Sequence, residues 1–265
     1  MPETRTTPTV LCIGGLDPSG GAGIAADARA CSAFQVLALP VATAIVVQNT
    51  RGVKMSQPVP TEIIVAQIET LLEDIQPGAI KIGMLPSLEA VEALTALLAP
   101  FKGQIPMVMD TVFAPSTGPS FNDDATIEAI ADQLLPLANI VTPNALEAQQ
   151  LGADFIGDRS SMELAAFDIL SRTKAKSVLI KGGHLEDPEF AVDLFFDGTR
   201  FTELRAERET GYEVRGTGCL LASAIAAQLA AAKPPVQAVL QAKDWLTEQF
   251  RAAQVIGSGR RIAAI

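Results

Sequence analysis

Short runs of apolar residues alternate with amphipathic segments along most of the chain. Six of these runs are predicted to be strands: VLCIG (10–14), ALPVATAIVV (38–47), AIKIGM (79–84), MVMD (107–110), NIVT (139–142) and SVLIKGG (177–183). They are apolar almost throughout and do not alternate with polar positions, which is typical of parallel strands covered on both faces. The pattern therefore predicts an α/β protein with a mostly parallel sheet between two layers of helices.

The segments around these runs have a helical period. The predicted helices span residues 22–34, 61–75, 87–99, 124–134, 144–151, 160–173, 216–232 and 235–254. A different pattern occupies VDLFFDGTRFTEL (192–204), in which two apolar runs flank Asp197-Gly198, a strong hairpin signal. Because there is no internal repeat and no low-complexity linker, residues 1–265 are expected to form a single three-layer α/β/α domain with a β-hairpin toward its carboxyl end.

The composition limits the partners of such a domain. Of the 265 residues, 48% are hydrophobic, which is enough for a large core. The formal charge of −10 and the pI near 4.7 argue against a nucleic-acid partner, since nucleic acids require a basic face. Any phosphate that this chain binds must therefore be held by a local pocket, against the field of the whole molecule.

Cysteine usage and the lack of long apolar segments indicate the cytoplasm. Cys12, Cys31 and Cys219 are odd in number and lack the spacing of a metal site, so a disulfide scaffold is not expected. The amino-terminal MPETRTTPT does not have the basic and then apolar order of a signal peptide. The longest apolar run, residues 219–232, is too short to span a bilayer. We therefore expect a cytoplasmic protein with no membrane partner.

The loop GGLDPSGGAG (14–23) lies between the first predicted strand and the first predicted helix, where phosphate-binding loops are common. It does not match a P-loop, because Gly21-Ala22 stands where a lysine and a hydroxyl residue are required. It fits the G-x-G-x-x-G dinucleotide fingerprint no better, since Ala26 takes the place of the last glycine. Asp17 and Asp27 would repel a phosphate but accept hydrogen bonds from an amine or hydroxyl. The alternative is a plain tight turn.

A second glycine-rich stretch, GTGC (216–219), opens a long apolar helix. Its backbone N–H groups point out of the helix amino terminus, where unpaired donors and the positive end of the helix dipole make an anion site. The same field is expected to lower the pKa of the Cys219 thiol and to favour the thiolate. The alternative is a buried cysteine that packs as a small hydrophobe. The position within GTGC favours the first interpretation, so we assign phosphate binding to this loop.

Six blocks along the chain resemble one family. In order they are GGLDPSGGAGIAAD (14–27), QNTRGV (48–53), KIGML (81–85), TPN (142–144), KGGH (181–184) and GTGC (216–219). They look like the hydroxymethylpyrimidine and phosphomethylpyrimidine kinases of thiamine biosynthesis, members of the ribokinase-like superfamily. The resemblance implies a ribokinase-like α/β/α fold. It also implies transfer of the ATP γ-phosphoryl group to the hydroxymethyl oxygen of the pyrimidine, and then of a second phosphoryl group to the monophosphate.

The resemblance assigns the first glycine-rich loop to the substrate. In the family this loop lines the pyrimidine pocket, the aspartate of the following helix lies nearby, and the glutamine before Asn-Thr contacts the ring. The matching substrate-binding positions here are Gly15, Asp27, Gln48, Met84 and Val112. An aminopyrimidine has an amine and ring nitrogens, so a carboxylate and an amide suit it chemically.

The resemblance also implies that GTGC is the catalytic loop. The backbone donors of Gly216, Thr217 and Gly218 would hold the phosphoryl group in transfer, in the manner of an oxyanion hole. Cys219 occupies the position at which many ribokinase-like sugar kinases have a catalytic aspartate. As a thiolate it would accept the hydroxyl proton; otherwise it would only orient the hydroxyl. The sequence leaves both roles open.

Further positions are implied for the nucleotide and for Mg²⁺. Asn144 and Glu147 match the superfamily's N-x-x-E pattern, which supports the metal, and Asp110 at a strand end is expected to face the same site. Lys181 and Lys243 are candidates for nucleotide binding. The alternatives are a helix cap for Asn144 and Glu147 and a solvated surface charge for Lys243.

Two departures from the family pattern bear on the second phosphorylation. Arg215 stands where the family has a histidine before GTGC, and APSTG (114–118) replaces a family segment that contains a lysine. A phosphate monoester carries about −1.5 to −2 charges, so a cation is needed beside the monophosphate. We expect Arg215 to supply it and to bind on the nucleotide side. His184, the only histidine, is interpreted as part of a strand-end turn and not as a catalytic base.

Two other functions fit parts of the pattern. A pyridoxal or pyridoxine kinase of the same superfamily acts on a related hydroxymethyl heteroaromatic, and a non-catalytic module would bind the pyrimidine without turnover. Gln48 and the first loop favour the pyrimidine, while GTGC, Asp110 and Glu147 favour an enzyme. The expected cofactors are ATP and Mg²⁺ and the expected partner is a small-molecule pyrimidine. A homodimer, common among relatives, is the expected assembly.

Overall fold

A nine-stranded sheet forms the centre of the molecule. The computed structural model describes residues 7–115, 120–183 and 189–265. The strands of the sheet are β1 (Thr9–Leu16), β2 (Leu37–Asn49), β3 (Gly52–Pro58), β4 (Ala79–Ile82), β5 (Met107–Met109), β6 (Ile140–Val141), β7 (Val178–Ile180), β8 (Phe190–Phe196) and β9 (Phe201–Glu207). Two short strands, β10 (Val214–Arg215) and β11 (Arg261–Ile262), pair in a separate sheet.

The order of the strands creates a crevice at the carboxyl end of β1, inside the sheet. Across the sheet the order is β3-β2-β1-β4-β5-β6-β7-β8-β9, with β2 to β7 parallel and β3 and β8 antiparallel to their neighbours. Because β1 lies between β2 and β4, the connections from these strands diverge at its carboxyl end. In open α/β sheets ligands bind in such a crevice. The predicted mostly parallel sheet with a hairpin, β8–β9, is confirmed.

Helices cover both faces of the sheet. One face carries α2 (Thr61–Leu72), α3 (Leu88–Leu98), α4 (Asp124–Ala129), α5 (Ala145–Gln150) and α6 (Arg159–Thr173), and the other carries α1 (Gly23–Ala33), α7 (Thr217–Ala230) and α8 (Pro235–Arg251). Along β1, Leu11 and Ile13 belong to the first core while Val10 and Cys12 belong to the second. Successive side chains of a strand point to opposite faces, so burial of both faces explains the continuous apolar runs.

Three features of the fold differ from the expectation. β3, with the sequence GVKMSQP, is mostly polar because it lies at the sheet edge, and the apolar pattern missed it together with β10 and β11. The predicted helix 124–134 is α-helical only to Ala129 and continues as a π-helical segment, Ile130–Leu134. The other predicted elements end within three residues of the observed ones. Among the described residues, no helix combines the length and apolar content needed to cross a membrane.

Candidate active site

Three charged side chains meet beyond the carboxyl ends of β5 and β7. Nζ of Lys181 lies 3.2 Å from Oδ1 of Asp110 and 3.6 Å from Oε2 of Glu147. Asp110 follows β5, Lys181 follows β7, and Glu147 is on α5. Both carboxylates are buried. The structure thus brings together three residues that the sequence assigned to metal and nucleotide binding.

A capping box holds Glu147 in this cluster. The Asn144 side chain accepts a hydrogen bond from the Glu147 N–H at 2.9 Å, and the Glu147 carboxylate accepts one from the Asn144 N–H at 2.8 Å. The Thr111 hydroxyl donates a further hydrogen bond to this carboxylate at 3.0 Å. Burial raises the pKa of Glu147, although Lys181 opposes the shift. The helix cap expected as the alternative is present, and it also fixes the position of the carboxylate.

Asp110 is an ionised carboxylate with one oxygen to spare. Burial by itself would raise the pKa of Asp110, but Lys181 and Lys81 outweigh it and hold the pKa below its ordinary value. Oδ1 accepts hydrogen bonds from Lys181 and from the Thr142 hydroxyl. Oδ2 is buried and has no hydrogen-bond partner within the described residues. A buried acceptor without a partner is costly, which marks Oδ2 as a ligand position.

The GTGC loop faces this cluster from the amino terminus of α7. Gly216 precedes the helix with φ +71°, and a Cβ on it would lie 1.9 Å from the carbonyl oxygen of Gly21, so only glycine fits. Leu220 is the first residue whose N–H bonds back to the loop, at the Gly216 carbonyl. The N–H groups before it are free of a side-chain cap. A Cβ on Gly218 would lie 3.3 Å from Nζ of Lys181, so this anion site adjoins the charge cluster.

The expectation of a Cys219 thiolate is wrong. Burial raises the pKa of the Cys219 thiol to about 12, and the nearby carboxylates of Asp110 and Asp27 raise it further, while Lys81 lowers it. The side chain keeps some accessible surface and forms no disulfide. Lys81 and the helix terminus favour an anion, whereas desolvation and the two carboxylates oppose it. The raised pKa favours the thiol at neutral pH.

A buried ion pair lies beneath this loop. Nζ of Lys81 on β4 donates hydrogen bonds of 3.0 and 2.9 Å to the two oxygens of Asp27 on α1, and the Ser223 hydroxyl of α7 donates a third at 2.7 Å. Burial disfavours the charge on Lys81, but Asp27 outweighs it and raises the pKa of Lys81. The predicted substrate residue Asp27 is thus committed to a contact between three elements. Sequence reasoning missed Lys81, although a lysine within an otherwise apolar strand requires a buried partner.

The predicted substrate pocket has an apolar wall. Ala44, Val46 and Met84 are buried together, with Val53, Val112 and Phe121 packed against them. A Cβ on Gly15 would lie 3.1 Å from Sδ of Met84 and 3.2 Å from Cγ2 of Val46, so glycine leaves the space that the wall needs. Gly15, Met84 and Val112 were predicted to share a pocket, and the structure places them together. Val46 and Phe121 are additions that the sequence did not reveal.

Arg215 lies against the first glycine-rich loop. Its Nε is 3.4 Å from Oδ2 of Asp17, and Nη2 donates a hydrogen bond to Oε1 of Gln48. Asp17 is buried, and its other oxygen accepts bonds of 2.8 and 2.7 Å from the N–H and hydroxyl of Ser19. This placement differs from the expectation that Arg215 holds a phosphate. The difference arises because a carboxylate that is distant in the sequence already compensates its charge.

Lys243 forms a separate ion pair, with Asp193. Its Nζ is 2.7 Å from Oδ2 of Asp193 on β8, whose Oδ1 accepts the Gly182 N–H at 3.0 Å. The side chain is only 12% exposed, so Lys243 is not the solvated charge considered as an alternative. This pair holds the segment that follows β7 and Lys181. His184, positions 116–118 of the APSTG segment and residues 1–6 lie outside the described residues.

These features define a class of protein. An apolar wall at the crevice of the sheet, uncapped backbone donors at a helix terminus and an adjoining cluster of carboxylates and lysine are the parts of a small-molecule phosphotransferase. The model of the phosphomethylpyrimidine kinase family matches residues 17–263. The chain belongs to this family, and it is a kinase.

Individual relatives agree with the family assignment. The chain is 41% identical to a hydroxymethylpyrimidine/phosphomethylpyrimidine kinase of Rhizobium meliloti, over 96% of this chain and 95% of that protein. It is 38% identical to a chloroplastic thiamine biosynthetic bifunctional enzyme of Arabidopsis thaliana, over 97% of this chain and 49% of that protein. The chain thus spans about half the length of such bifunctional relatives.

Solved structures of two kinases resemble the fold. Bacillus subtilis pyridoxal kinase, solved as an ADP complex, superimposes with a TM-score of 0.88 at 30% identity and with 97% of each chain covered. Phosphomethylpyrimidine kinase from Clostridium difficile superimposes with a TM-score of 0.79 at 35% identity, over 92% of this chain and 99% of that chain. The α/β/α architecture is therefore that of these kinases.

Proposed function

We propose that the protein transfers the γ-phosphoryl group of ATP to the hydroxymethyl oxygen of 4-amino-5-hydroxymethyl-2-methylpyrimidine, and a second phosphoryl group to the resulting monophosphate, in thiamine biosynthesis. One observation carries the proposal. The GTGC loop adjoins the Asp110–Lys181–Glu147 cluster at Gly218 and the first glycine-rich loop at Gly216, and that first loop packs at Gly15 against the apolar wall. The relatives from Rhizobium meliloti, a hydroxymethylpyrimidine/phosphomethylpyrimidine kinase, and from Arabidopsis thaliana, a thiamine biosynthetic enzyme, support the same substrate.

In the proposed mechanism the chain mainly positions groups and neutralises charge. The N–H groups of Gly216, Thr217 and Gly218 bind the phosphoryl oxygens, and Lys181 approaches the same oxygens from the cluster side. Cys219, as a thiol, orients the substrate hydroxyl; its proton passes to a phosphoryl oxygen as the new O–P bond forms and the bond from the γ-phosphorus to ADP breaks. The loose transition state of phosphoryl transfer demands little prior deprotonation of that hydroxyl, so a neutral thiol is compatible with turnover.

The residues present fit a Mg²⁺ ion. Magnesium is bound in proteins through one or two carboxylates, with water and substrate phosphates as the other ligands. The spare Oδ2 of Asp110 and the nearby Glu147 supply such a pair. No larger group of His, Cys, Asp or Glu in the described parts of the chain could hold a metal. When bound, the ion would neutralise charge on the phosphates, and Asp110 and Glu147 would hold it.

Pyridoxal phosphorylation is a second candidate activity. The observation in its favour is the closeness of the fold to pyridoxal kinase, with a TM-score of 0.88. The higher sequence identity to the pyrimidine kinase of Rhizobium meliloti, 41%, favours the pyrimidine as the main substrate. Both substrates carry a hydroxymethyl group on a heteroaromatic ring, so one pocket could accept both with different efficiency.

A product assay tests these proposals. The protein is incubated with ATP, Mg²⁺ and either hydroxymethylpyrimidine, its monophosphate or pyridoxal, and the products are identified by mass spectrometry. We expect both pyrimidine phosphates to form, with a higher kcat/KM than for pyridoxal. A preference for pyridoxal would make pyridoxal phosphorylation the main activity. Product from hydroxymethylpyrimidine but not from the monophosphate would limit the enzyme to one phosphorylation step. Binding of the pyrimidine without any turnover would indicate the non-catalytic module.

We also propose that the whole chain acts as one kinase domain within a homodimer. The nine-stranded sheet takes strands from Thr9 through Glu207, and α7 and α8 pack on it, which supports one domain. Ile45, Val47 and Met55 are exposed apolar side chains on the outer face of β2 and β3, a surface suited to a second copy. Sedimentation equilibrium at micromolar concentration tests the assembly, and a monomer mass would contradict it.

A further inference from the structure

Arg215 connects three segments around the predicted pocket. It lies on β10, is 9% exposed, and contacts Asp17 in the first glycine-rich loop and Gln48 at the end of β2. A Cβ on Gly21 would lie only 3.2 Å from Cδ of Arg215, so the arginine stem fills the space beside that loop. The side chain therefore belongs to the wall of the substrate region and not to the anion site.

The charge of Arg215 is already compensated. Oδ1 of Asp17 accepts two hydrogen bonds from Ser19, which leaves Oδ2 facing Nε of the guanidinium at 3.4 Å. Both side chains are buried or nearly so. Removal of one member of a buried pair leaves an uncompensated charge, so the pair is held in place. The fixed guanidinium then determines which atom of the Gln48 amide faces it.

A guanidinium can only donate hydrogen bonds, so the Gln48 atom that faces it must be the carbonyl oxygen Oε1. The amide nitrogen Nε2 consequently points away from Arg215 with two N–H donors. None of the described residues accepts a hydrogen bond from it. Gln48 follows Ala44 and Val46 at alternate positions of β2, and it pairs across the strands with Val53, which packs against the same apolar wall. Gln48 thus lies at the end of the apolar wall.

We propose that Arg215 is a positioning residue that locks the Gln48 amide with its nitrogen toward the substrate. The pocket then selects a ring nitrogen with a lone pair and rejects a ring that presents N–H or C–H at that position. The inference deepens the proposed function and rests on it, since the ring nitrogen is that of the aminopyrimidine. Glutamine without the arginine would present either end of its amide, and the selectivity would fall.

The test is a double-mutant cycle with Arg215→Met, Gln48→Ala and the double variant. Loss of the hydrogen bond to the ring should raise KM for the pyrimidine about 10-fold in Gln48→Ala, and loss of the fixed amide orientation should raise it at least about 2-fold in Arg215→Met, with kcat and the KM for ATP changed little. Because both side chains act through one amide, the double variant should be no worse than Gln48→Ala. The matched control is Arg261→Met, which removes an arginine of the paired strand β11 that stacks on Tyr212 instead.

The Gln48→Glu variant distinguishes orientation of the amide from a simple contact between residue 48 and Arg215. Gln48→Glu keeps a partner for Arg215 but presents an acceptor to the ring, so its KM should rise at least as much as that of Gln48→Ala. Recovery of wild-type KM by Gln48→Glu would overturn the proposal, as would additive losses in the cycle or a loss confined to kcat. Because Arg215→Met leaves Asp17 unpaired and could unfold the chain, the Asp17→Asn/Arg215→Met variant repeats the measurement with both charges removed.

Direct binding distinguishes this inference from the proposed function. Titration calorimetry with hydroxymethylpyrimidine is run on wild type and on the same variants. A wild type that binds the pyrimidine with an Arg215-dependent Kd but forms no product contradicts the proposed function and supports the positioning role. Turnover with a Kd unchanged in Arg215→Met and in Asp17→Asn/Arg215→Met supports the function and contradicts the positioning role. A wild type that binds no pyrimidine contradicts both.

Discussion

The two glycine-rich loops touch each other at Gly21 and Gly216, yet the charges beside them are arranged differently. Beside the first loop the charges are paired, Asp17 with Arg215 and Asp27 with Lys81. Beside the second loop, Lys181 is shared between two carboxylates at 3.2 and 3.6 Å, and one buried oxygen of Asp110 has no partner among the described residues.

This difference separates recognition from chemistry. Paired buried charges fix geometry and have no capacity left for a ligand, so they orient neutral groups such as the Gln48 amide. An unpaired buried oxygen is unfavourable in the free protein and becomes favourable only when a cation or a donor reaches it. Under the proposed function, the first loop would shape the pocket, and the second loop with Asp110 would hold the groups that change charge during phosphoryl transfer.

The largest effect is expected at the unpaired oxygen. Asp110→Asn removes the negative charge without changing the size of the side chain, and kcat should fall by about 10³-fold, as for loss of a main electrostatic contact. The free energy of unfolding should also fall, but only in part, because Asn keeps an oxygen for the Thr142 hydroxyl and Lys181 keeps Glu147 as a charged partner at 3.6 Å. Steady-state kinetics and urea denaturation measure the two quantities. Asp197→Asn in the hairpin turn is the control, and a kcat of Asp110→Asn within a factor of about ten of wild type would refute the assignment.

Substitution of a paired charge beside the first loop is expected to lower the free energy of unfolding. Lys81→Met leaves Asp27 buried and unpaired, so the free energy of unfolding should fall by about 3 kcal/mol. Adding Asp27→Asn removes the remaining charge and should recover part of that loss, measured by urea denaturation. Lys102→Met on the surface is the control and should change stability little. If Lys81→Met were as stable as wild type, Asp27 would be available for substrate, and the contrast between the two loops would fail.

The apolar pattern was sufficient to predict the main sheet, because burial on both faces requires apolar residues at consecutive positions of a strand. Each residue of β1 from Val10 to Ile13 is buried, and the run was recognised as a covered strand. β3 carries no such signal, since its stability comes from pairing with β2 and its side chains are half-buried or exposed. Edge strands of this kind depend on their neighbours and not on their own residue pattern.

For the site, residue types were predictable and pairings were not. The positions of Asp110, Glu147 and Lys181 at or beyond strand ends follow from motif and topology. The contact of Arg215 with Asp17 joins residues 198 positions apart, and that of Lys81 with Asp27 joins residues 54 positions apart. The helix terminus next to Cys219 was visible in the sequence, but the burial that reverses its pKa shift exists only in the folded chain.

An intermediate effect is expected where the two loops meet. Gly216→Ala puts a methyl group 1.9 Å from the Gly21 carbonyl oxygen at φ +71°, so the loops must separate. We expect about 2 kcal/mol of destabilisation together with a lower kcat, because the anion site moves away from the cluster. Gly211→Ala is a matched control, since Gly211 also has positive φ, +86°, but a Cβ there meets nothing within 4 Å. Equal effects of the two substitutions on kcat would show that contact between the loops is unimportant for turnover.

The smallest effect concerns the thiol of Cys219. Because burial raises its pKa to about 12, the neutral thiol is the dominant form at any pH below that value, and the thiolate fraction increases with pH. If the thiol orients the hydroxyl, kcat should be nearly constant from about pH 6.5 to about pH 8.5, and Cys219→Ser should lower it only about 10-fold. If the thiolate were the base, kcat would rise about 10-fold per pH unit over the same range.

Alkylation by iodoacetamide, followed by mass spectrometry, gives the same comparison without turnover, with the buried Cys12 and Cys31 as internal controls. Rapid alkylation of Cys219 at neutral pH would mean that the helix terminus outweighs desolvation, and the second loop would then supply a base as well as an anion site.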